Sequence, residues 1–196
     1  NSTGGIAIPL LLEKLGVEVD QINGELSGVF SHNPEPLPKN IRQICKEIKN
    51  GKFDLGIVVD PDVDRLVFVD ENGKPFGEEY TLVAVSDYVL SKTPGNTVSN
   101  LSSTKALKLV TEKRNGIYYP AAVGEVNVVA KMKEVGAVIG GEGNGGIIYP
   151  ELHYGRDALV GIALFLSYLA QFNRSASILR SQYPNYFISK NKIELD

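Results

Sequence analysis

Short runs rich in β-branched residues alternate with helix-forming patterns along the whole of this 196-residue chain. Alternating strands and helices favour layered folds in which helices cover the faces of a sheet. The pattern therefore predicts an α/β fold, with two tandem layered α/β domains whose mixed sheets are flanked by helices. The predicted helices span residues 4–15, 41–49, 81–90, 105–113, 127–135 and 158–171. The predicted strands span residues 16–19, 55–59, 66–69, 97–101, 117–120, 137–139 and 147–149.

Turn-forming residues divide the chain near its middle. The segment Lys-Thr-Pro-Gly-Asn at 92–96 separates two periodic regions of similar size and order. We therefore expect a first domain at 1–93, a second at 94–185, and the start of a linker at 186–196. Within the first region, Asn72-Gly73 signals a hairpin after the strand that ends near residue 69.

Three aspartates at alternate positions join two apolar runs. Asp60, Asp62 and Asp64 follow one predicted strand, and Arg65 precedes the next. Carboxylates this close repel one another, and a divalent cation is the usual reason for such a cluster. The oxygen ligands suit Mg²⁺, and Arg65 could stabilise the cluster or hold a phosphate. The competing interpretation is a polar turn between two strands.

The same spacing matches part of an EF-hand calcium loop, but that interpretation fails. Asp60, Asp62, Asp64 and Glu71 occupy loop positions 1, 3, 5 and 12. Position 6 needs glycine for its sharp turn and here holds Arg65. The flanking segments are also β-branched, where an EF-hand has helices.

A glycine-rich loop at 141–146 satisfies the pattern G-x-G-x-x-G. A dinucleotide site also needs a helix that starts at the loop and an acidic residue about 20 positions on. Ile-Ile-Tyr-Pro follows instead, so we reject that interpretation. Glu142 and Asn144, presented by glycines that allow close approach, suit sugar hydroxyls. A flexible glycine turn is the alternative.

Several other polar residues have weaker signals. Ser31 beside His32 does not make a catalytic pair, because such a pair needs spatial geometry, and a local turn explains the segment. Before the last long helix, His153, Arg156 and Asp157 are crowded together. Asp157 could be only an N-cap, and the roles of His153 and Arg156 stay open.

The composition excludes several functional classes. A net charge of −3 with no basic run gives no electrostatic footprint for nucleic acid. The longest apolar stretch, 158–170, is too short and interrupted to span a bilayer, so no membrane partner is expected. Cys45 is the only cysteine, which excludes an internal disulfide and fits a reducing compartment. No signal peptide is visible, and we expect a cytoplasmic location.

The two loops, in this order, resemble those of the α-D-phosphohexomutases, the phosphoglucomutase and phosphomannomutase family. Residues 60–65 resemble that family's D-G-D-G-D-R metal loop, with Pro61 and Val63 in place of both glycines. Residues 141–146 resemble its G-E-x-S/N-G sugar-recognition loop. Val-Gly-Glu at 123–125 stands where the family has a short segment near the sugar phosphate. The resemblance covers essentially the whole chain.

The resemblance implies an isomerase that transfers phosphate reversibly between O1 and O6 of a hexose. The phosphate would pass through an enzyme phosphoserine and a bisphosphorylated sugar. The implied Mg²⁺ ligands are Asp60, Asp62 and Asp64, with Arg65 as a catalytic residue that supports the phosphate. The implied residues for hexose phosphate are Gly124, Glu125, Glu142 and Asn144.

The same family has four domains around a central cleft, with the metal loop in domain II and the sugar loop in domain III. Ser31-His-Asn-Pro shares four letters with the phosphoserine motif of domain I but lies only 29 residues before Asp60. That spacing is too short, so Ser31 is rejected as the nucleophile. No R-x-S-G-T phosphate loop of domain IV follows Tyr186. We therefore expect domains II (1–93) and III (94–185) of a larger mutase, with domains I and IV as partners.

This interpretation predicts that the chain alone is inactive, and it leaves alternatives open. Asp60-x-Asp62 after an apolar strand also fits a haloacid-dehalogenase-like phosphatase with Asp60 as nucleophile. A sugar-phosphate-binding module without catalysis is a third possibility. Some members of the family have a lysine near position 102 that assists proton transfer; here Lys105 is the nearest basic residue. Preference among glucose, mannose and amino sugars stays undetermined, as does the oligomeric state.

Overall fold

The computed structural model describes residues 1–188, which form seven helices and six strands. The helices are α1 Gly4–Lys14, α2 Arg42–Asn50, α3 Glu78–Lys92, α4 Ala106–Lys113, α5 Glu125–Val135, α6 Ala158–Phe172 and α7 Ala176–Ser181. The strands are β1 Leu55–Val59, β2 Leu66–Asp70, β3 Asn96–Asn100, β4 Tyr118–Ala121, β5 Ala137–Gly141 and β6 Ile147–Ile148. The predicted α/β class is confirmed.

The first sheet is an antiparallel pair whose turn carries the aspartates. β1 pairs with β2 in a register that places Leu55 opposite Asp70 and Val59 opposite Leu66. Every residue of β2 is buried, because α2 covers one face and α3 and α6 cover the other. The hairpin holds the ends of its turn, residues 60–65, at a fixed separation.

The second sheet is mixed, with strand order β4-β3-β5-β6. β3, β4 and β5 are parallel, and β6 is antiparallel to β5. The carboxyl ends of the parallel strands lie at one edge of the sheet, as do the loops that leave them. Asn100 ends β3 at this edge, and the loops that follow β4 and β5 contain the segment 122–124 and the glycine loop.

One apolar core joins the two sheets. Phe68 of β2 stacks on Phe165 of α6 with a ring-centroid distance of 3.8 Å, and Phe76 meets the same ring edge-on at 5.2 Å. The largest core cluster combines Ile139 of β5 and Ile147 of β6 with residues of β2, α3, α4 and α6. The turn at 60–65 and the glycine loop are therefore carried by a single packed body. The predicted division at residue 93 stays a prediction.

One predicted strand, at 16–19, is wrong. Gly16 has a φ of +71°, and the N–H of Val17 donates to the carbonyl of Leu12 at 2.9 Å. This is the bonding pattern of a Schellman cap, so the backbone ends α1 there and pairs with no strand. Helix α7 was not predicted.

The other predicted elements are found within a few residues of their expected ends. Asn72-Gly73 forms the expected turn, and Val69 and Pro75 make a bridge beyond it. Within residues 1–188 no helix is long and apolar enough to cross a membrane. Of the predicted linker at 186–196, residues 189–196 lie outside the part of the chain that the structure describes.

Candidate active site

The aspartate loop is closed by its first carboxylate. Asp60 is 3% exposed, and its Oδ1 accepts hydrogen bonds from the N–H groups of Asp64 at 3.1 Å and Arg65 at 3.0 Å. These bonds curl the loop so that the aspartates face one another. Val63, at one of the family's glycine positions, has a φ of +63°. A β-branched residue in this left-handed region is strained.

Asp60, Asp62 and Asp64 form a group that could hold a metal ion. One carboxylate oxygen from each lies within 4.8 Å of the others. The pKa of Asp64 is raised to about 6, mainly by burial and next by a hydrogen bond with the Asp60 side chain. The positive charge of Arg156 opposes this rise. Among the described residues, the buried Oδ1 of Asp64 has no hydrogen-bond partner. A buried carboxylate oxygen that accepts no hydrogen bond, beside two more carboxylates, fits a hard divalent cation.

Arg65 lies beside this group and contacts a residue that the sequence did not indicate. Its Nε lies 3.4 Å from Asp60 Oδ2 and 3.7 Å from Asp64 Oδ1. Its Nη1 forms a close ion pair with Glu35. Glu35 lies within the proline-rich passage at 31–39, and only the tertiary fold reveals that this passage reaches the aspartate loop. Ser31, in the same passage, is exposed.

The glycine loop packs directly against the start of β2. The N–H of Leu66, the residue after Arg65, donates to the carbonyl of Gly145 at 3.2 Å. Gly145 has a φ of +86°, and a Cβ there would overlap the carbonyl oxygen of Leu66. Only glycine allows this approach, which places the two predicted motifs side by side.

Glu142 is buried, and both its oxygens are engaged. Oε1 accepts from Asn100 Nδ2 at 2.7 Å and from the N–H of Gly124 at 3.3 Å. Oε2 pairs with Arg156 Nη1 at 2.9 Å. Asn144 Oδ1 accepts from the N–H of Gly146 at 3.2 Å, which stabilises the tip of the loop. The predicted Gly124 and Glu142 are therefore in direct contact, and Asn100 is an additional member of the site.

Arg156 connects all three predicted segments. Its guanidinium pairs closely with Asp64, lies 2.9 Å from Glu142, and has its Nε 3.2 Å from Glu125 Oε2. Its backbone N–H also donates to Glu125 Oε1 at 3.0 Å. The crowding of polar residues before α6 was the only sequence signal for this arrangement.

The neighbours of Arg156 have simpler roles. Asp157 is the N-cap of α6, because its Oδ1 accepts from Leu159 at 2.7 Å and Val160 at 3.1 Å. His153 is about half exposed and pairs with Asp157 at 3.0 Å. Lys105 is exposed at the start of α4.

Comparisons with known proteins identify the family. The model of phosphoglucomutase/phosphomannomutase domain III matches residues 77–186, and that of domain II matches residues 1–73. This chain belongs to the phosphoglucomutase/phosphomannomutase family. The domain II match ends at residue 73 and the domain III match begins at residue 77, so α3 falls within the domain III match.

Relatives of this mutase-family chain have related names. A probable phosphoglucosamine mutase of Methanopyrus kandleri is 33% identical over 99% of this chain and 43% of its own length. A phosphoglucomutase/phosphomannomutase of Thermococcus kodakarensis is 34% identical over 98% of this chain and 42% of its own length. A solved family protein from Burkholderia thailandensis superposes with a TM-score of 0.86 at 28% identity, covering 94% of this chain and 41% of that one.

This mutase-family chain therefore spans about two fifths of the length of the relatives it matches. The phosphatase alternative is not favoured by these matches.

Proposed function

We propose that the protein containing this chain transfers phosphate reversibly between O1 and O6 of a hexose. The transfer proceeds through a phosphoserine and a bisphosphorylated sugar. The observation that carries the proposal is the contact between the two loops, where Arg156 bridges Asp64 of the metal loop and Glu142 of the sugar loop. Metal ligands and sugar-binding groups in contact suit phosphoryl transfer to a sugar, which depends mainly on positioning and charge stabilisation.

Mg²⁺ is the cation proposed for the aspartate group. Asp60, Asp62 and Asp64 would hold it, and when bound it would neutralise charge on the phosphate being transferred. Arg65 supports the same charge from the side of the loop, since its side chain is only 29% exposed and its Nε lies near both Asp60 and Asp64. A cytoplasmic location is proposed from the single cysteine.

The sugar-binding role is proposed for the second cluster. Glu142 would accept hydrogen bonds from hydroxyls of the hexose, and Asn144 would both donate and accept them. Gly124 and Glu125 would lie near its phosphate. Glu142 is preorganised by Asn100 and Arg156, so it loses little rotamer freedom when a sugar binds. The hexose could be glucose, mannose or glucosamine, in keeping with the names of the relatives.

A test of the cation site uses the full-length protein and glucose 1-phosphate with Mg²⁺. We expect turnover in the wild type and a fall on the order of 100-fold for Asp62→Asn, because one charge of the cation group is removed. Asp54→Asn is the matched control, since Asp54 is exposed just before β1. Undiminished turnover in Asp62→Asn contradicts the role of this group. Parallel assays with mannose and glucosamine 1-phosphates determine the preferred hexose.

The isolated chain supplies a second test. We expect purified residues 1–196 to show no turnover of glucose 1-phosphate, because the phosphoserine is proposed to come from another part of the protein. Circular dichroism verifies that the chain is folded. Measurable turnover by the folded chain would overturn the proposed division of labour.

A further inference from the structure

Arg156 draws carboxylates from three separate segments onto one guanidinium. Nη2 pairs with Asp64 of the metal loop, Nη1 with Glu142 of the sugar loop, and Nε with Glu125 in the first turn of α5. The side chain is 16% exposed, so these contacts are shielded from solvent screening more than a surface ion pair.

The position of this side chain is determined by its surroundings. Arg156 makes a backbone bridge with Ile148, and the next residue caps α6. A Cβ on Gly146 would lie 2.5 Å from Arg156 Cδ, so the aliphatic stem lies against the glycine loop itself. Arg156 therefore moves with the sugar loop and reaches across to the metal loop.

The local charge is strongly negative. Asp60, Asp62, Asp64, Glu125 and Glu142 face two guanidinium groups, and Glu35 adds another carboxylate beside Arg65. Asp64 has one oxygen on Arg156 and the other buried without a hydrogen-bond partner among the described residues. A cation held by the aspartates would share the Asp64 carboxylate with the guanidinium of Arg156, and the two positive charges would repel each other.

We propose that Arg156 is a positioning residue that couples cation binding to the sugar loop. Cation binding weakens the pair between Arg156 and Asp64, and the guanidinium is then held by Glu142 and Glu125 alone. By linkage, the factor by which cation binding strengthens the hold of Glu142 on Arg156 equals the factor by which that hold strengthens cation binding. The inference rests on the proposed cation site and the sugar-binding role of Glu142.

The first experiment measures Mn²⁺ affinity of the full-length protein by electron paramagnetic resonance, without turnover. We expect Arg156→Met to bind Mn²⁺ about tenfold more tightly than the wild type, because a nearby positive charge is removed. Arg156→Lys keeps the charge, so its affinity should stay within about twofold of the wild type. Lys108→Met, on the exposed face of α4, is the control for loss of one positive charge and should leave affinity unchanged.

The second experiment is a double-mutant cycle on the same Mn²⁺ affinity. Glu142→Gln in the wild type frees Arg156 to pair more strongly with Asp64, so Mn²⁺ should bind more weakly. In the Arg156→Met background, Glu142→Gln should reduce Mn²⁺ affinity by a factor at least about threefold smaller than it does in the wild type. With Arg156 absent, only the direct loss of the Glu142 charge remains. If Arg156→Met does not fold, the cycle is run with Arg156→Lys. A single ammonium group cannot bridge Asp64 and Glu142 as the guanidinium does, so the coupling between positions 156 and 142 should fall.

The outcomes separate this inference from the proposed activity. Tighter Mn²⁺ binding in Arg156→Met with a coupled cycle supports the inference even if the protein turns over no hexose phosphate. Unchanged or weaker Mn²⁺ binding, or additive effects of the two substitutions, overturns it even if turnover is normal. A wild type that binds no Mn²⁺ overturns it as well.

Discussion

At the scale of single residues, Val63 shows what the metal loop demands of its backbone. Val63 is buried and has a φ of +63°, a region that costs a non-glycine residue roughly 1–2 kcal/mol. The family's metal loop has glycine here. The strain is tolerated because Asp60 fixes the loop and the Val63 carbonyl accepts a hydrogen bond from Ala158 at 3.0 Å.

This strain predicts that, at position 63, glycine is more stabilising than alanine, the reverse of the usual order. We expect Val63→Gly to be more stable than Val63→Ala by roughly 0.5–1 kcal/mol, because glycine relieves the left-handed strain by more than its added entropy cost. Both variants lose the two γ-methyl groups of the buried valine, and they differ from each other by the β-carbon and the backbone freedom of glycine. Unfolding in urea measures the difference.

Val58 supplies the matched control, because it lies in β1 with extended backbone. There alanine should be more stable than glycine by roughly 0.5–1 kcal/mol. The same order at both positions would contradict a strained Val63.

At the scale of elements, the approach of the glycine loop to β2 brings the two halves of the site together. Gly145 leaves no room for a side chain against the Leu66 carbonyl. We expect Gly145→Ala to destabilise the protein by at least about 2 kcal/mol and to reduce turnover, because the glycine loop must move away from β2. Denaturant unfolding and kinetics of the full-length protein measure both effects.

Gly16→Ala is the control for the backbone effect alone. Gly16 also has a positive φ, but a Cβ there would meet nothing within 4 Å. That variant should lose only about 1 kcal/mol and keep its turnover. Equal losses at the two positions would show that the contact with Leu66 is unimportant.

Glu71, just after β2, ties this element to α7. Burial acts to raise the pKa of Glu71, but hydrogen bonds from Ser177, Ser175 and the backbone outweigh it and lower that pKa from its ordinary value of 4.5. The ionised form is thus favoured in the folded protein. Its contribution to stability is present above about pH 4.5 and is lost as the pH falls through the lower, folded pKa.

We expect the free energy of unfolding to fall less in Glu71→Gln than in the wild type between pH 5 and pH 3, a window of about two units. Thermal unfolding across this range measures the slope. Glu47→Gln, on the exposed surface of α2, should keep the wild-type slope. A Glu71→Gln slope equal to that of the wild type would rule out this contribution.

At the scale of the whole molecule, the shared core predicts cooperative unfolding. Phe165 of α6 stacks on Phe68 of β2 and is fully buried. We expect Phe165→Ala to cost roughly 3–5 kcal/mol and to shift the unfolding of both sheets together. Hydrogen exchange at amides of β2 and β3 reports each sheet separately.

Phe187 is the control for aromatic truncation, since it is 97% exposed. Its replacement by alanine should change stability by less than about 0.5 kcal/mol. If Phe165→Ala loosens β2 but leaves the protection of β3 unchanged, the two sheets unfold independently and the shared core does not couple them.

Local patterns were enough to predict most elements and both loops. The strands around residues 60–65 follow from β-branched runs, and the long last helix follows from its apolar length and the Asp157 cap. The strand at 16–19 failed because Gly16 and Val17 cap α1, a competition that composition cannot decide. Glu35 and Asn100 were missed because nothing near them in the chain indicates a shared site.

The sequence by itself determined the α/β class, the aspartate group and the glycine loop, since periodicity, turn residues and ligand spacing are local properties of the chain. Only the tertiary structure decided which charges neutralise which. Arg156 meets Asp64, Glu125 and Glu142 across separations of 92, 31 and 14 residues. Contacts of that range depend on how β2, α5 and α6 pack around one core, and no local pattern specifies that packing.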